Sequence, residues 1–359
     1  MDVIYKKTMK RAVYILSILL LVSCQSIEQL SIDYLLPADV SFPNSLRRIG
    51  IVNNCPDKPS NQQHGLSGHL FGNGKLAAEA LAEAIANENY FDEVIICDSA
   101  LQANNAYKQT TMLNNAEIQE LTTLMDVDFL IAVEEINIET KKEITNMPDW
   151  GGCYAIIQSV VLPKFTIYLT NRQKPLVSLQ PRDSIFWDRI AQTEKAVIEL
   201  LPSDSLIISE ASSFAGEMPL KHILPYWNTS NRYYFTNGNA AMRDAAIYIK
   251  ENNWPEAVNQ WKQVYDSKKK GKKRMQAAYN LALGYEMMDD LQKAYEFATE
   301  AQRIAYELEH IKEIEKQQAL TAESALYYLE CTRLVNELKV RKDGMMLLKA
   351  QMQRFETDF

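Results

Sequence analysis

Near residue 237 this 359-residue chain changes character. Ahead of that point, short β-branched runs alternate with amphipathic stretches. Beyond Ala240 the β-branched runs largely vanish and apolar residues recur at helical spacing. One layered core cannot serve both patterns, so the chain reads as two domains, in keeping with its length. The expected fold class is α+β, a mixed sheet with helices, followed by an all-α domain. In the first part, Leu46–Val52 opens the domain as a strand, and a polar loop runs from Asn53 to about Asn73. Leu76, Ala77, Ala80, Leu81, Ala84 and Ile85 then mark a helix, and Val94–Cys97 is a buried strand. Asn115 is placed to cap a helix carrying Ile118, Leu121 and Leu124. Val127–Val133 is almost continuously apolar and reads as a central strand. Ala155–Leu162 and Lys164–Thr170 read as two further strands. The turn Asn171–Pro175 leads into Leu176–Leu179, with Ser184–Asp188 beyond. Gln192 to about Ala215 reads as helix interrupted near Pro202.

The second part contains two helical hairpins that align with each other at a shift of 37 residues. Ala245 matches Ala282, Tyr248 matches Tyr285, Ala257 matches Ala294, and Val264 matches Ala301. The pattern resembles a tetratricopeptide repeat, with the extra residues falling in Lys268–Arg274 between the hairpins. Small side chains let paired helices approach, while Tyr248, Tyr285 and Trp261 fill the spaces between turns. Asn253-Trp254-Pro255 starts the second helix, proline being tolerated in a first turn. Residues 312–340 read as one long helix that Lys342-Asp343-Gly344 breaks before a last one. In repeats of this kind the first helix of each hairpin lines a concave groove. The resemblance therefore implies Arg243, Lys250, Asn280 and Glu286 as exposed groove residues.

The order of elements before residue 190 resembles the αβ domain of TolB amino-terminal regions and CsgG-like periplasmic lipoproteins. The matching pieces are Arg48–Val52, the helix Leu76–Glu88, Tyr90–Ile95 and Val127–Ile131, then the return from Ile167–Thr170 to Pro175–Val177. With Leu224-Pro225-Tyr226-Trp227 and Arg232-Tyr233-Tyr234-Phe235, the arrangement looks like a group of Bacteroidetes-type lipoproteins of uncharacterised activity.

The amino terminus says where such a chain would live. Lys6, Lys7, Lys10 and Arg11 precede the apolar run Ala12–Val22, and Leu21-Val22-Ser23-Cys24 follows the plan of a secretory signal with a small-residue cleavage site. The run is about half the roughly 20 residues of a spanning helix. It resembles the lipobox of bacterial lipoproteins. That implies cleavage before Cys24, a diacylglyceryl group on its thiol and an acyl chain on its amine. Gln25 follows the cysteine where inner-membrane retention favours Asp, so the outer membrane, facing the periplasm, is the expected site. The resulting plan is a signal peptide over 1–23, a lipidated tether over 24–44, the αβ domain over 45–236 and the helical domain over 237–359.

The net charge of −8 argues against nucleic acid as a partner. Besides Cys24 there are Cys55, Cys97, Cys153 and Cys331; Cys97 reads as a core residue, while Cys55 and Cys153 sit in loop-like contexts where a disulfide is possible. Gly68–Leu76 invites a phosphate-loop reading, but His69 stands where the first glycine belongs and Leu76 where magnesium needs a hydroxyl. His64, His69 and Cys55 lack zinc spacing, and a Cys55/His64 nucleophilic pair lacks an orienting acid. Glu134-Glu135 reads as a solvated strand end, its adjacent side chains pointing to opposite faces. The aromatics around Trp150, Tyr226-Trp227 and Tyr233–Phe235 read as a core plug joining the two domains, with a carbohydrate or peptide platform as the alternative, and the cations of Lys268–Arg274 as a solvated connector that lipid headgroups would also suit. No catalytic residue, metal or cofactor is expected beyond the lipid on Cys24. The expected function is a non-catalytic, lipid-anchored scaffold that binds an envelope protein or peptide through its repeats. An oligomeric assembly or secretion component, with Ala155–Thr170 as its one segment to test for membrane insertion, ranks second, and a periplasmic hydrolase third.

Overall fold

The computed structural model describes residues 27–56, 67–97, 99–101, 112–147, 151–170, 172–316 and 319–355. Cys24, His64, Trp150 and Asn171 lie outside the described residues. In chain order the elements are β1 (Ile27–Leu36), β2 (Arg48–Asn53), β3 (Ser67–Phe71), α1 (Gly74–Asn87), β4 (Glu93–Cys97), α2 (Asn115–Met125), β5 (Phe129–Met147) and β6 (Gly152–Leu169). Next come β7 (Val177–Leu179), β8 (Asp183–Ala191), α3 (Glu194–Glu199), α4 (Asp204–Glu217), α5 (Leu220–Ile223) and β9 (Tyr226–Phe235). The rest is helical: α6 (Ala240–Lys250), α7 (Trp254–Ser267), α8 (Lys272–Met287), α9 (Leu291–Leu308), α10 (Ile311–Ile314) and α11 (Ala322–Met352), ending in a 3₁₀ turn at Gln353–Phe355. The chain is thus a mixed sheet with helices followed by an all-helical region. It divides into two compact units at residues 36/37, 226/227 and 346/347, where the sequence suggests one cut near 237.

The αβ unit comprises Pro37–Tyr226 and the chain end from Leu347. Its seven-stranded sheet runs β4-β2-β5-β6-β7, with β3 also pairing β5 and β8 also pairing β6. Strand β2 lies parallel to β4 and β5, while β3, β6, β7 and β8 join by antiparallel ladders. Phe129–Val133 is buried throughout because both faces are covered. Phe129, Ile131 and Val133 meet Ala77, Leu81 and Ile85 of α1 and Ile207 and Ala211 of α4. Leu130 and Ala132 meet Ile118 of α2 and Tyr168. Asn114, one residue earlier than the sequence suggests, caps α2 in a reciprocal box with Glu117.

Other expectations need correction. Ser67–Phe71, read as loop, pairs with Asn137–Lys141 of β5. The two strands expected over 155–170 are one strand, β6, running through Pro163. Strand β4 is a partly exposed edge paired to β2, and Cys97 is only half-buried. Cys55 and Cys153 are not joined to each other: Cys55 Sγ lies 3.5 Å from Val133 O, whereas Cys153 pairs with Asn146. Along an extended strand, Val133 and Asn146 are separated by roughly 40 Å, far beyond disulfide reach.

The second unit holds β1 and Trp227–Met346. Its core joins Ala245, Ala257, Trp261, Ala282, Ala294 and Ala301 with Leu334 and Leu338 of α11. Asn253 caps α7 and Pro255 sits in its first turn. The stretch 27–36, expected within a tether, is a strand paired with β9. The long terminal helix begins at Ala322 rather than 312, with non-helical dihedrals at Ala325, and it continues through Gly344, which was expected to break it. Past the break at Ala325, Tyr327 N and Tyr328 N donate to the carboxylate of Glu309, the residue that follows α9, at 3.0 and 2.8 Å.

Candidate functional site

The helical face expected to form an open groove is covered by the chain itself. Strands β1 and β9 form a two-stranded ribbon. Tyr234 OH donates to Glu28 at 2.6 Å, Ser31 to Asn231 at 2.8 Å, Thr229 to Asp33 at 2.6 Å, and Asn228 to Tyr34 at 2.7 Å. The order of these pairs runs antiparallel. Asn280 of α8 grips the ribbon by its backbone, accepting from Phe235 N and donating to Phe235 O, both at 2.8 Å. Arg232 of β9 is fully buried and makes a bidentate pair with Glu286 of α8, both contacts at 2.8 Å. Glu286 also meets Arg341, and Arg232 also meets Glu337. Ser230 shares that carboxylate, donating to it at 2.9 Å.

Asn280 and Glu286 are therefore buried ligands of β9 and not groove residues. Both look like surface positions in a helix because the strand that buries them lies about fifty residues earlier. Arg243 and Lys250 are exposed on α6, so the four candidates do not form one open surface. Lys250 Nζ lies 3.7 Å from Glu28 of β1. Among the packing residues, Ala245, Ala257, Trp261, Ala282, Ala294 and Ala301 are fully buried, while Tyr248 and Tyr285 are partly buried against the same core. Tyr285 stacks on Phe297 with centroids 5.4 Å apart.

In the αβ unit the sequence misses a buried carboxylate. Glu134, read as a solvated strand end, is fully buried. The β5/β6 register shifts between Val133 and Glu135, placing Glu134 in a bulge. The bulge turns it toward the face that holds Tyr168, whose hydroxyl donates to Glu134 at 2.7 Å. Asn54, just past β2, donates from its amide at 2.6 Å. Tyr168 in turn accepts from Leu113 N at 3.2 Å. Burial pushes the Glu134 carboxyl up to about 7, against the opposing pull of the Tyr168 and Asn54 hydrogen bonds and of Lys164. Burial likewise raises the Tyr168 hydroxyl, and the Glu134 contact adds to it. One signal for this site is present in the sequence. Apolar residues occupy 129, 131 and 133, then 136 and 138, and that change of parity marks a bulge.

The model of one family, described as domain of unknown function (DUF8603), matches residues 46–235, more than half of the chain. This chain belongs to that family. A second model, domain of unknown function (DUF6340), matches residues 243–339. No curated protein and no solved structure matches the chain. The DUF8603 segment opens just before β2, contains Asn54, Glu134 and Tyr168, and closes at Phe235, the residue that Asn280 grips. The DUF6340 segment starts within α6 and ends within α11, and it contains Asn280 and Glu286. Glu134 is held by fixed donors at the carboxyl end of the parallel pair β2/β5, where open α/β sheets commonly place ligands. Among the described residues, no group of three or more His, Cys, Asp or Glu is arranged to hold a metal ion.

Proposed function

We propose that this chain is a cell-envelope lipoprotein, held through Cys24 at the outer membrane and facing the periplasm, that works by binding other envelope proteins through its helical unit. The observation that carries this reading is the β1–β9 ribbon seated on α8. Strand β1 begins three residues after Cys24 and is tied to β9, and Asn280 holds β9 by its backbone. An anchor at Cys24 would thus be only three residues from a strand of the helical unit. A helical face that grips extended backbone is also a peptide-recognition surface in kind, here filled by the chain's own strand. The tetratricopeptide-like arrangement belongs to the same reading. It is supported by the burial of Ala245 with Ala282 and of Ala257 with Ala294 at matching places in consecutive hairpins.

With the α8 face occupied, the partner surface falls on the outer stripe of α6. There Arg243, Ile247 and Lys250 recur at helical spacing, and Ile247 is 56% exposed. The test is photo-crosslinking in cells from an unnatural residue at 243, 247 or 250, with Lys262 on α7 as the control site. One envelope protein captured from α6 and absent from the control is the expected result. Equal capture from both sites, or none, would remove the stripe as the interface.

One observation favours a second reading, an assembly component resembling CsgG-like lipoproteins. Strand β8 pairs only with β6 among the described residues, and its outward Phe186 and Ile190 are 64% and 63% exposed. Self-adducts from position 186 would support it.

A further inference from the structure

An apolar cavity of about 230 Å³ opens in the helical unit. Ile27 at the start of β1 and Phe235 at the end of β9 form one side. Met275 and Tyr279 of α8, and Leu326, Tyr327 and Glu330 of α11, also line it. Two apolar side chains at its mouth remain partly in solvent, Ile27 at 39% and Leu326 at 47% exposure. The non-helical backbone at Ala325 precedes Leu326, and the Glu309 bonds to Tyr327 and Tyr328 hold the turn past that break in place. Lys272 lies over the Tyr327 ring, 4.7 Å from its centroid. It belongs to the densest cationic run of the chain, Lys268–Arg274, of which Lys268, Lys269 and Lys270 are exposed. A largely apolar hollow, whose lining carboxylate Glu330 is paired with Arg333 at 2.9 Å and which has a cationic neighbour in Lys272, fits an acyl chain and its polar headgroup region.

The nearness of Cys24 along the sequence selects the occupant. Ile27 is three residues after Cys24. Three residues span at most roughly 10 Å, and Glu28 beside Ile27 is fixed by Tyr234. We propose that this cavity is the seat of one acyl chain of the lipid carried by Cys24. The proposal rests on the lipoprotein reading of Cys24 and extends it, for the anchor would then be held by a built site as well as by the membrane.

The test feeds cells a diazirine-bearing palmitate analogue, which lipoprotein acylation incorporates. The full-length lipidated protein is irradiated, and its crosslinked peptides are read by mass spectrometry. Crosslinks should join the Cys24 lipid to the peptides holding Met275–Tyr279 and Leu326–Cys331, at several times the yield of any peptide from the exposed face of α7. The mouth variant Leu326→Asp should lower that yield at least threefold while leaving the Cys24 lipid mass unchanged. A lipidated Cys24 whose crosslinks do not favour these peptides, or are unmoved by Leu326→Asp, overturns the cavity assignment alone. Recovery of free phospholipid on these peptides, in place of chains carried covalently by Cys24, also overturns it. An unmodified Cys24 overturns both the assignment and the anchor reading.

Discussion

A carboxylate enclosed by a sheet and a helix costs several kcal/mol unless donors surround it or it takes up a proton. Glu134 does both, with Tyr168 and Asn54 as donors and a carboxyl raised to about 7. Its ordinary value is 4.5. Between those values the folded chain holds a proton that the unfolded chain has released, so stability is greatest below the lower one. It falls as pH rises toward about 7 and levels off above. The span corresponds to roughly 3 kcal/mol. Glu134→Gln keeps the volume and an acceptor for Tyr168 but cannot ionise. Urea unfolding at about pH 5 and about pH 8 should show the native protein losing stability at the higher pH, with the variant nearly level. A slope shared by both proteins would assign the effect to other groups. Arg232 solves the same problem differently, by pairing with Glu286 and Glu337 in a network whose loss on one side strands a buried charge.

At the scale of elements, two irregularities in the β5/β6 ladder allow a long pairing to serve a single core. The bulge at Glu134 changes strand parity, so Val133 before it and Ile136 after it face the same helices. Pro163 lies opposite Ile136 in the stretch of β6 between its β8 partners, which end at Val161, and its β7 partners, which begin at Phe165. Among the described residues no ladder on that side reaches Pro163, so its missing N–H leaves the strand unbroken. Between helices the decisive contact is closeness. A Cβ on Gly284 would lie 2.4 Å from Val258 Cγ2 and 3.1 Å from Trp261 Cζ3. Gly284→Ala should therefore destabilise the helical unit by about 1–3 kcal/mol through overpacking. Adding Val258→Ala should recover part of that loss. Denaturation midpoints of the single and double variants measure both effects, and strict additivity would refute the contact.

For the whole molecule, the informative fact is that the carboxy-terminal segment belongs to the αβ unit. Gln351 donates to Ala38 O and accepts from Ala38 N, both at 3.0 Å. Arg354 donates to Tyr90 O at 2.7 Å and stacks on the Tyr90 ring with 4.0 Å to its centroid. A chain truncated after Met346 should lose on the order of 3 kcal/mol in the αβ unit, because several buried backbone groups lose partners. Hydrogen exchange should accelerate at Ala38, Val40 and Phe91. Unchanged exchange at those amides would show that the segment is dispensable. A boundary drawn at 237 would assign the same residues to the helical domain and leave the αβ unit without them.

Features that depend on near neighbours along the chain are legible in the residues alone. The spacing of Ala245, Ala257, Ala282 and Ala294 settled which helical faces are buried, because helical periodicity is written within a few residues. The unbroken apolar run at Phe129–Val133 likewise marked a strand covered on both sides. Polar residues whose environment comes from distant segments were illegible. Asn280, Glu286 and Glu134 were read as exposed, and each is buried by a partner 45, 54 or 34 residues away. A polar side chain carries the same local pattern whether water or a remote donor satisfies it. Only the tertiary structure decided that Phe235, Arg232 and Tyr168 would take the place of solvent.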